Sequence, residues 1–97
     1  MRMLLKAQLD TRKANEANQD GTMQDRLGQL MDRLQPEAAY FYPEDGKRTM
    51  LLVFDMEDPS QIPPTVEPLF QGAEASVSLT PVMTREDLQS GLQEALG

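Results

Sequence analysis

The chain has 97 residues, neither histidine nor cysteine, and a formal net charge of -7. The missing residue types exclude Ser-His-Asp and Cys-His catalysis and the common zinc sites, while the acidic balance disfavours nucleic acid and anionic membranes as partners. A domain of this size buries only about two-thirds of the surface that its unfolded chain exposes, so self-association would add apolar burial. We expect a single domain over residues 1–97 with no cofactor and no metal.

The start of the chain does not have the pattern of a signal peptide, because the apolar residues at positions 3–5 are followed at once by Lys6. No other stretch has the length of apolar sequence that a membrane span requires. We therefore expect a soluble, cytoplasmic protein.

Residues 1–10 alternate between apolar and polar side chains, which predicts a half-buried strand. The spacing then becomes helical over residues 11–35, and Pro36 ends this helix. The Asp20-Gly21-Thr22 stretch predicts a kink or a division into two helices, with Asp20 or Thr22 as the cap of the second part. The apolar stripe of the second part consists of Leu27, Leu30, Met31 and Leu34.

A β-hairpin is predicted over residues 38–42 and 48–56, because Asp45-Gly46 between them supplies the positive φ angle that a tight turn needs. Its second strand contains MLLVF at positions 50–54, a run that is apolar at every residue instead of every second one. Such a strand requires cover on both faces.

A short, broken helical segment is predicted to begin at Asp58-Pro59-Ser60 and to end at Gly72, since three prolines interrupt it. Residues 74–82 alternate again and predict a fourth strand. Thr84 and Asp87 resemble a capping box and precede leucines at helical spacing, which predicts a short amphipathic helix at the C-terminus.

The element order strand, helix, strand, strand, helix, strand predicts an α+β, ferredoxin-like fold. Its four-stranded antiparallel sheet has helices on one face, and this chain adds a C-terminal helix. The other face of the sheet is left bare.

In this order of elements the chain resembles the dimeric α/β-barrel superfamily, and within it muconolactone isomerase and small uncharacterised members. The local resemblance lies in residues 3–10 (MLLKAQLD), 68–70 (PLF) and 79–82 (LTPV). It implies a homodimer in which two sheets pack face to face. The superfamily includes isomerases, monooxygenases, haem enzymes and proteins without known activity, so the resemblance fixes no reaction.

Polar side chains are predicted on the bare face. If the alternating apolar residues of the first strand face the helices, Lys6 and Gln8 point the other way, and Glu74, Ser76 and Ser78 of the fourth strand lie beside them. This set could orient an anionic or carbonyl-bearing ligand. The other interpretation is a structural polar layer at the dimer interface, with Lys6 paired to Glu74.

Tyr40 and Tyr42 lie on the same side of the second strand and are candidates to line an edge of that face, either by packing or as proton donors. Asp55, Glu57 and Asp58 form an acidic cluster, but it lacks the ligand spacing of a calcium loop, and Asp58 is better explained as a helix cap.

Two functions follow from these observations. The first is a homodimeric interaction or structural domain without catalysis, in which the partner chain covers the bare sheet face. The alternative is a small-molecule binder or isomerase-type enzyme with a pocket between the sheet and the helices or within the barrel, in which Lys6, Glu74 and a tyrosine handle protons. The sequence does not decide whether the protein is an enzyme.

Overall fold

The computed structural model describes residues 1–97. Its elements, in chain order, are β1 (Arg2–Gln8), α1 (Thr11–Asp20), α2 (Thr22–Leu34), β2 (Ala38–Glu44), β3 (Lys47–Asp55), a 3-10 turn (Pro59–Gln61), α3 (Ile62–Ala73), β4 (Ser76–Pro81) and α4 (Arg85–Leu96). None of the four α-helices combines the length and the hydropathy that crossing a bilayer requires.

The four strands form one antiparallel sheet in the order β2-β3-β1-β4. This is the strand order of the ferredoxin-like fold, and the α+β class predicted from the sequence is confirmed. Leu5 of β1 pairs with Leu52 of β3 on one side and with Leu79 of β4 on the other, so β1 and β3 are the central strands.

The hydrophobic core lies between the helices and one face of the sheet. Alternate residues of the central strands point into it, and they are Met3, Leu5, Ala7, Met50, Leu52 and Phe54. The apolar stripe of α2 packs against this cluster but is only half-buried. No residue of α2 is fully buried, so the helix covers the sheet incompletely.

The division of the first helical segment into α1 and α2 is confirmed. Gly21 sits between them with φ 82°, a left-handed conformation that glycine adopts without steric cost. The carboxylate of Asp20 accepts hydrogen bonds from the backbone N–H and the hydroxyl of Thr22 at 2.9 and 2.7 Å, and these bonds lower the pKa of Asp20.

The hairpin turn at Asp45-Gly46 is also confirmed, with φ angles of 54° and 76°. Both hairpin strands differ from the expected bounds, because β2 continues to Glu44 and β3 begins at Lys47. The backbone pairing continues there although the apolar pattern has stopped.

The expectation of a short, broken helix before Gly72 was wrong, because α3 is continuous over twelve residues. Two of its prolines, Pro63 and Pro64, occupy the first turn, where a backbone N–H has no helical partner to lose. Only Pro68 removes an internal hydrogen bond. The buried side chains of Val66 and Leu69 hold the helix against the core on either side of it.

Helix α4 projects from the body of the domain. Its start is capped as predicted: Thr84 Oγ1 accepts from the N–H of Asp87 at 3.1 Å, and the Asp87 carboxylate accepts from the N–H of Thr84 at 3.0 Å. None of its residues is buried. The Cα radius of gyration is 15.5 Å, whereas a compact domain of this length has about 12.5 Å.

We predict that Leu52→Ala lowers the free energy of unfolding by about 2–5 kcal/mol, because Leu52 is fully buried at the centre of the sheet and its truncation leaves a cavity. Urea denaturation measures this change. The control is Gln24→Ala, at an exposed position on α2 that lies away from the open face, and we expect a change of less than about 0.5 kcal/mol there. Equal losses in the two variants would contradict the assignment of the core.

Candidate functional site

One face of the sheet is free of helices, and we call it the open face. Strand residues that pair in register share a face, and the open face consists of three such rows. The rows are Tyr42, Thr49, Gln8 and Ser76; Tyr40, Leu51, Lys6 and Ser78; and Ala38, Val53, Leu4 and Thr80. Six of the seven candidate site residues therefore lie together on this face, and their binding of a ligand stays a prediction.

The polar end of the open face is held together by Glu44, which closes β2. Its carboxylate lies 2.5 Å from Lys6 Nζ, and its backbone carbonyl accepts a hydrogen bond from Gln8 Nε2 at 3.0 Å. Both side chains reach across β3 to make these contacts, and Thr49 of β3 is buried. The hydrogen bond to Glu44 raises the pKa of Lys6 above its ordinary value.

Glu74, the seventh candidate, is not part of this cluster, and its expected pairing with Lys6 was wrong. It ends α3 in a left-handed conformation with φ 47° and is exposed, and β4 begins only at Ser76. Lys6 pairs with Glu44 instead. The sequence pattern does not place Glu44 in a strand, because the predicted strand ends two residues earlier, at Tyr42.

The two tyrosines differ in their surroundings. Tyr40 lies in the middle row beside Leu51 and is 62% exposed, while Tyr42 is half-buried near the polar end. Phe41 between them points to the helix side, where it is 56% exposed because α2 does not cover it.

The other end of the open face carries a second ion pair, between Arg2 of β1 and Glu37, the residue before β2. The hydrogen bond to Glu37 raises the pKa of Arg2, and the charge of Asp87 on α4 contributes to the same shift. The first turn of α4 therefore starts close to this end of the sheet.

A second concave surface lies on the helix side, between the sheet and the helices, and we call it the cleft. It has a volume of about 750 Å³ and is bounded by α1, α2 and α3 and by the hairpin end of β2 and β3. Apolar side chains including Leu27, Leu30 and Phe41 line it. The exposed Phe41 and the half-buried stripe of α2 are two sides of the same gap.

Neither a protein-family model nor a curated protein matches this chain. The assignment of the ferredoxin-like fold is based on the observed order of the strands in the sheet and of the elements along the chain. Membership of the dimeric α/β-barrel superfamily is therefore part of the proposal below.

We predict that Glu44→Gln lowers the pKa of Lys6 toward its ordinary value of 10.5, because the variant removes the carboxylate that holds the ammonium. An NMR titration that follows the Lys6 Cε resonance measures this pKa in the wild type and in the variant. Since the pKa is raised in the folded chain, the pair stabilises the fold fully below 10.5, and this stabilisation is lost as pH rises through the folded-state pKa. An unchanged Lys6 titration in Glu44→Gln would contradict the pairing.

Proposed function

We propose that this protein is a self-associating domain that forms a homodimer through the open face and has no catalytic role. The observation that carries the proposal is the row of apolar side chains on that face, in which Leu4, Leu51 and Val53 lie on the two central strands with no helix over them. Central strands with apolar residues on both faces need cover on both.

The charge distribution supports a second copy as the partner. Two chains that each carry -7 repel one another, so they can approach only where the local charge is low. On the open face, Lys6 is neutralised by Glu44 and Arg2 by Glu37. The two pairs flank the apolar rows, so the face as a whole presents little net charge.

The area of the open face supports a role for α4 in the interface. Four strands of about seven residues cover about 450 Å² per protomer, or about 900 Å² in a dimer. Stable interfaces bury about 1,200–2,000 Å² in total. A twelve-residue helix is about 18 Å long, and a pair of such helices laid on the partner chains adds about 700 Å².

The leucines of α4 fit this role. Leu88, Leu92 and Leu96 recur every fourth residue and form one apolar stripe, and the first two are 44% and 47% exposed. The helix does not pack on its own domain, and an isolated helix of this length is marginal in water. Docking on a partner chain supplies the burial that α4 lacks.

Face-to-face packing of two ferredoxin-like sheets is the arrangement of the dimeric α/β-barrel proteins, and we propose that this chain is one of them. The alternative function, a ligand site at Lys6 and Gln8, has less support because both side chains already bond to Glu44. A polar cluster whose members satisfy one another is typical of an interface layer.

We predict that light scattering at micromolar concentration gives a mass of about 22 kDa, twice the 10.9 kDa of one chain. Leu51→Lys should give the monomer mass, because it places an unpaired charge at the centre of the open face. The control Gln24→Lys adds the same charge to an exposed position on α2 and should remain dimeric. A wild-type monomer, or a dimeric Leu51→Lys, would contradict the proposed interface.

We further predict that the double variant Leu88→Ser/Leu92→Ser raises the dimer dissociation constant by about tenfold or more, because it removes the apolar stripe of α4. Sedimentation velocity over a dilution series measures this constant. The control Gln89→Ser/Gln93→Ser changes two exposed residues of the same helix by polar substitutions. If the two variants dimerise equally well, α4 lies outside the interface.

A further inference from the structure

The cleft has an unusual distribution of charge. Four of the nine basic side chains line it, and they are Lys13, Arg26, Arg33 and Arg48. None of the sixteen acidic residues does. In a chain with a net charge of -7, the cleft is therefore a local concentration of positive charge beside an apolar wall.

These four cations lack carboxylate partners within the protein. The salt bridges of the chain involve Arg2, Lys6 and the N-terminal ammonium, and none includes a basic residue of the cleft. Cations that form no salt bridge within the protein, at the mouth of a concave surface, attract an anion from solution.

One of the four is held in place by the backbone of α3. Arg26 Nη1 donates a hydrogen bond to the carbonyl of Gly72 at 3.0 Å, which leaves its remaining N–H groups free to bind. Gly72 permits this approach, because a Cβ atom there would lie 2.9 Å from Arg26 Nη1. The guanidinium is thus partly ordered before any ligand arrives.

We propose that the cleft binds a small amphipathic anion, a carboxylate with an aromatic or bulky aliphatic body. The apolar body packs against Leu27, Leu30 and Phe41, and the carboxylate is held by the basic side chains. The volume of about 750 Å³ lies within the range of small-molecule sites. Arginine forms bidentate hydrogen bonds with carboxylates, which favours this ligand class over a neutral one.

The basic residues fall into two pairs. Arg26 and Arg33 lie two turns apart on α2. Lys13 and Arg48 lie at the hairpin end, where the N–H of Leu9 donates to the carbonyl of Arg48 at 2.9 Å and α1 begins two residues later. Each pair can be substituted separately, because none of the four residues belongs to the hydrophobic core.

The test compares 2-naphthoate with its uncharged counterpart 2-naphthamide. The chain has no tryptophan, so the naphthyl fluorescence can be measured without interference from that residue. We expect 2-naphthoate to bind about tenfold or more tightly than 2-naphthamide, and either Arg26→Gln/Arg33→Gln or Lys13→Gln/Arg48→Gln to remove about tenfold of its affinity. Binding of 2-naphthamide should change by less than about twofold in the same variant.

The control variant Arg12→Gln/Arg85→Gln changes the net charge by the same amount at exposed positions outside the cleft. It should bind 2-naphthoate as the wild type does. Circular dichroism tests whether each variant is folded. If a cleft variant does not fold, the wild type still gives the answer, because rising salt should weaken binding of 2-naphthoate and leave 2-naphthamide unaffected.

Three results would overturn the proposal: no saturable binding of 2-naphthoate, equal affinity for the two compounds, or the same affinity in both cleft variants as in the control. Lys6→Gln should bind normally, and a loss there would assign the ligand to the open face instead. The cleft lies within one chain, so Leu51→Lys, which should be monomeric, should also bind 2-naphthoate.

Discussion

The structure depends on one strand that is apolar on both faces. Met50, Leu52 and Phe54 of β3 point into the core beneath the helices, while Leu51 and Val53 alternate with them on the open face. A strand of this composition is stable only in the interior of a sheet, and its two neighbours β1 and β2 supply that position. The same composition leaves apolar side chains on the face that no helix covers, and the proposed homodimer would cover them.

The two faces of the sheet differ in how their charged side chains are paired. Charges on the open face are paired within the chain, and this face suits association with an identical copy. Charges around the cleft on the helix side are cationic and unpaired, and this side suits a soluble anion. The two surfaces open on opposite sides of the sheet and meet at its hairpin end, where Tyr42 and Thr49 of the open face also line the cleft.

Much of the fold could be predicted from the sequence because the strands alternate strongly and the turns carry specific residues. The hairpin at Asp45-Gly46, the division at Gly21 and the capping box at Thr84 are local signals, because each depends only on residues that are close in sequence. The continuity of α3 could not be predicted in this way. Pro63 and Pro64 fit the first turn of a helix, whereas Pro68 opposes a helix by local rules, and the tertiary packing of Val66 and Leu69 overrides it.

The candidate site was predictable only in part, for a related reason. Alternation places Lys6, Gln8 and the two serines on one face, but it does not say which carboxylate Lys6 meets. That choice depends on where the strands end: β2 runs on to Glu44, and β4 begins after Glu74. A pocket between the sheet and the helices is one location that the sequence leaves open for a ligand, but the basic lining of the cleft gave no sequence signal, because these residues come from α1, α2 and β3 and meet only in the folded chain.

The most direct test of the dimer is an isotope-filtered NOE experiment on a mixture of ¹³C-labelled and unlabelled chains, which detects only contacts between copies. The account predicts intermolecular NOEs from the methyl groups of Leu4, Leu51 and Val53 on the open face. Intermolecular NOEs confined to the methyl groups of Leu27 and Leu30 in the cleft, or none at all, would contradict it.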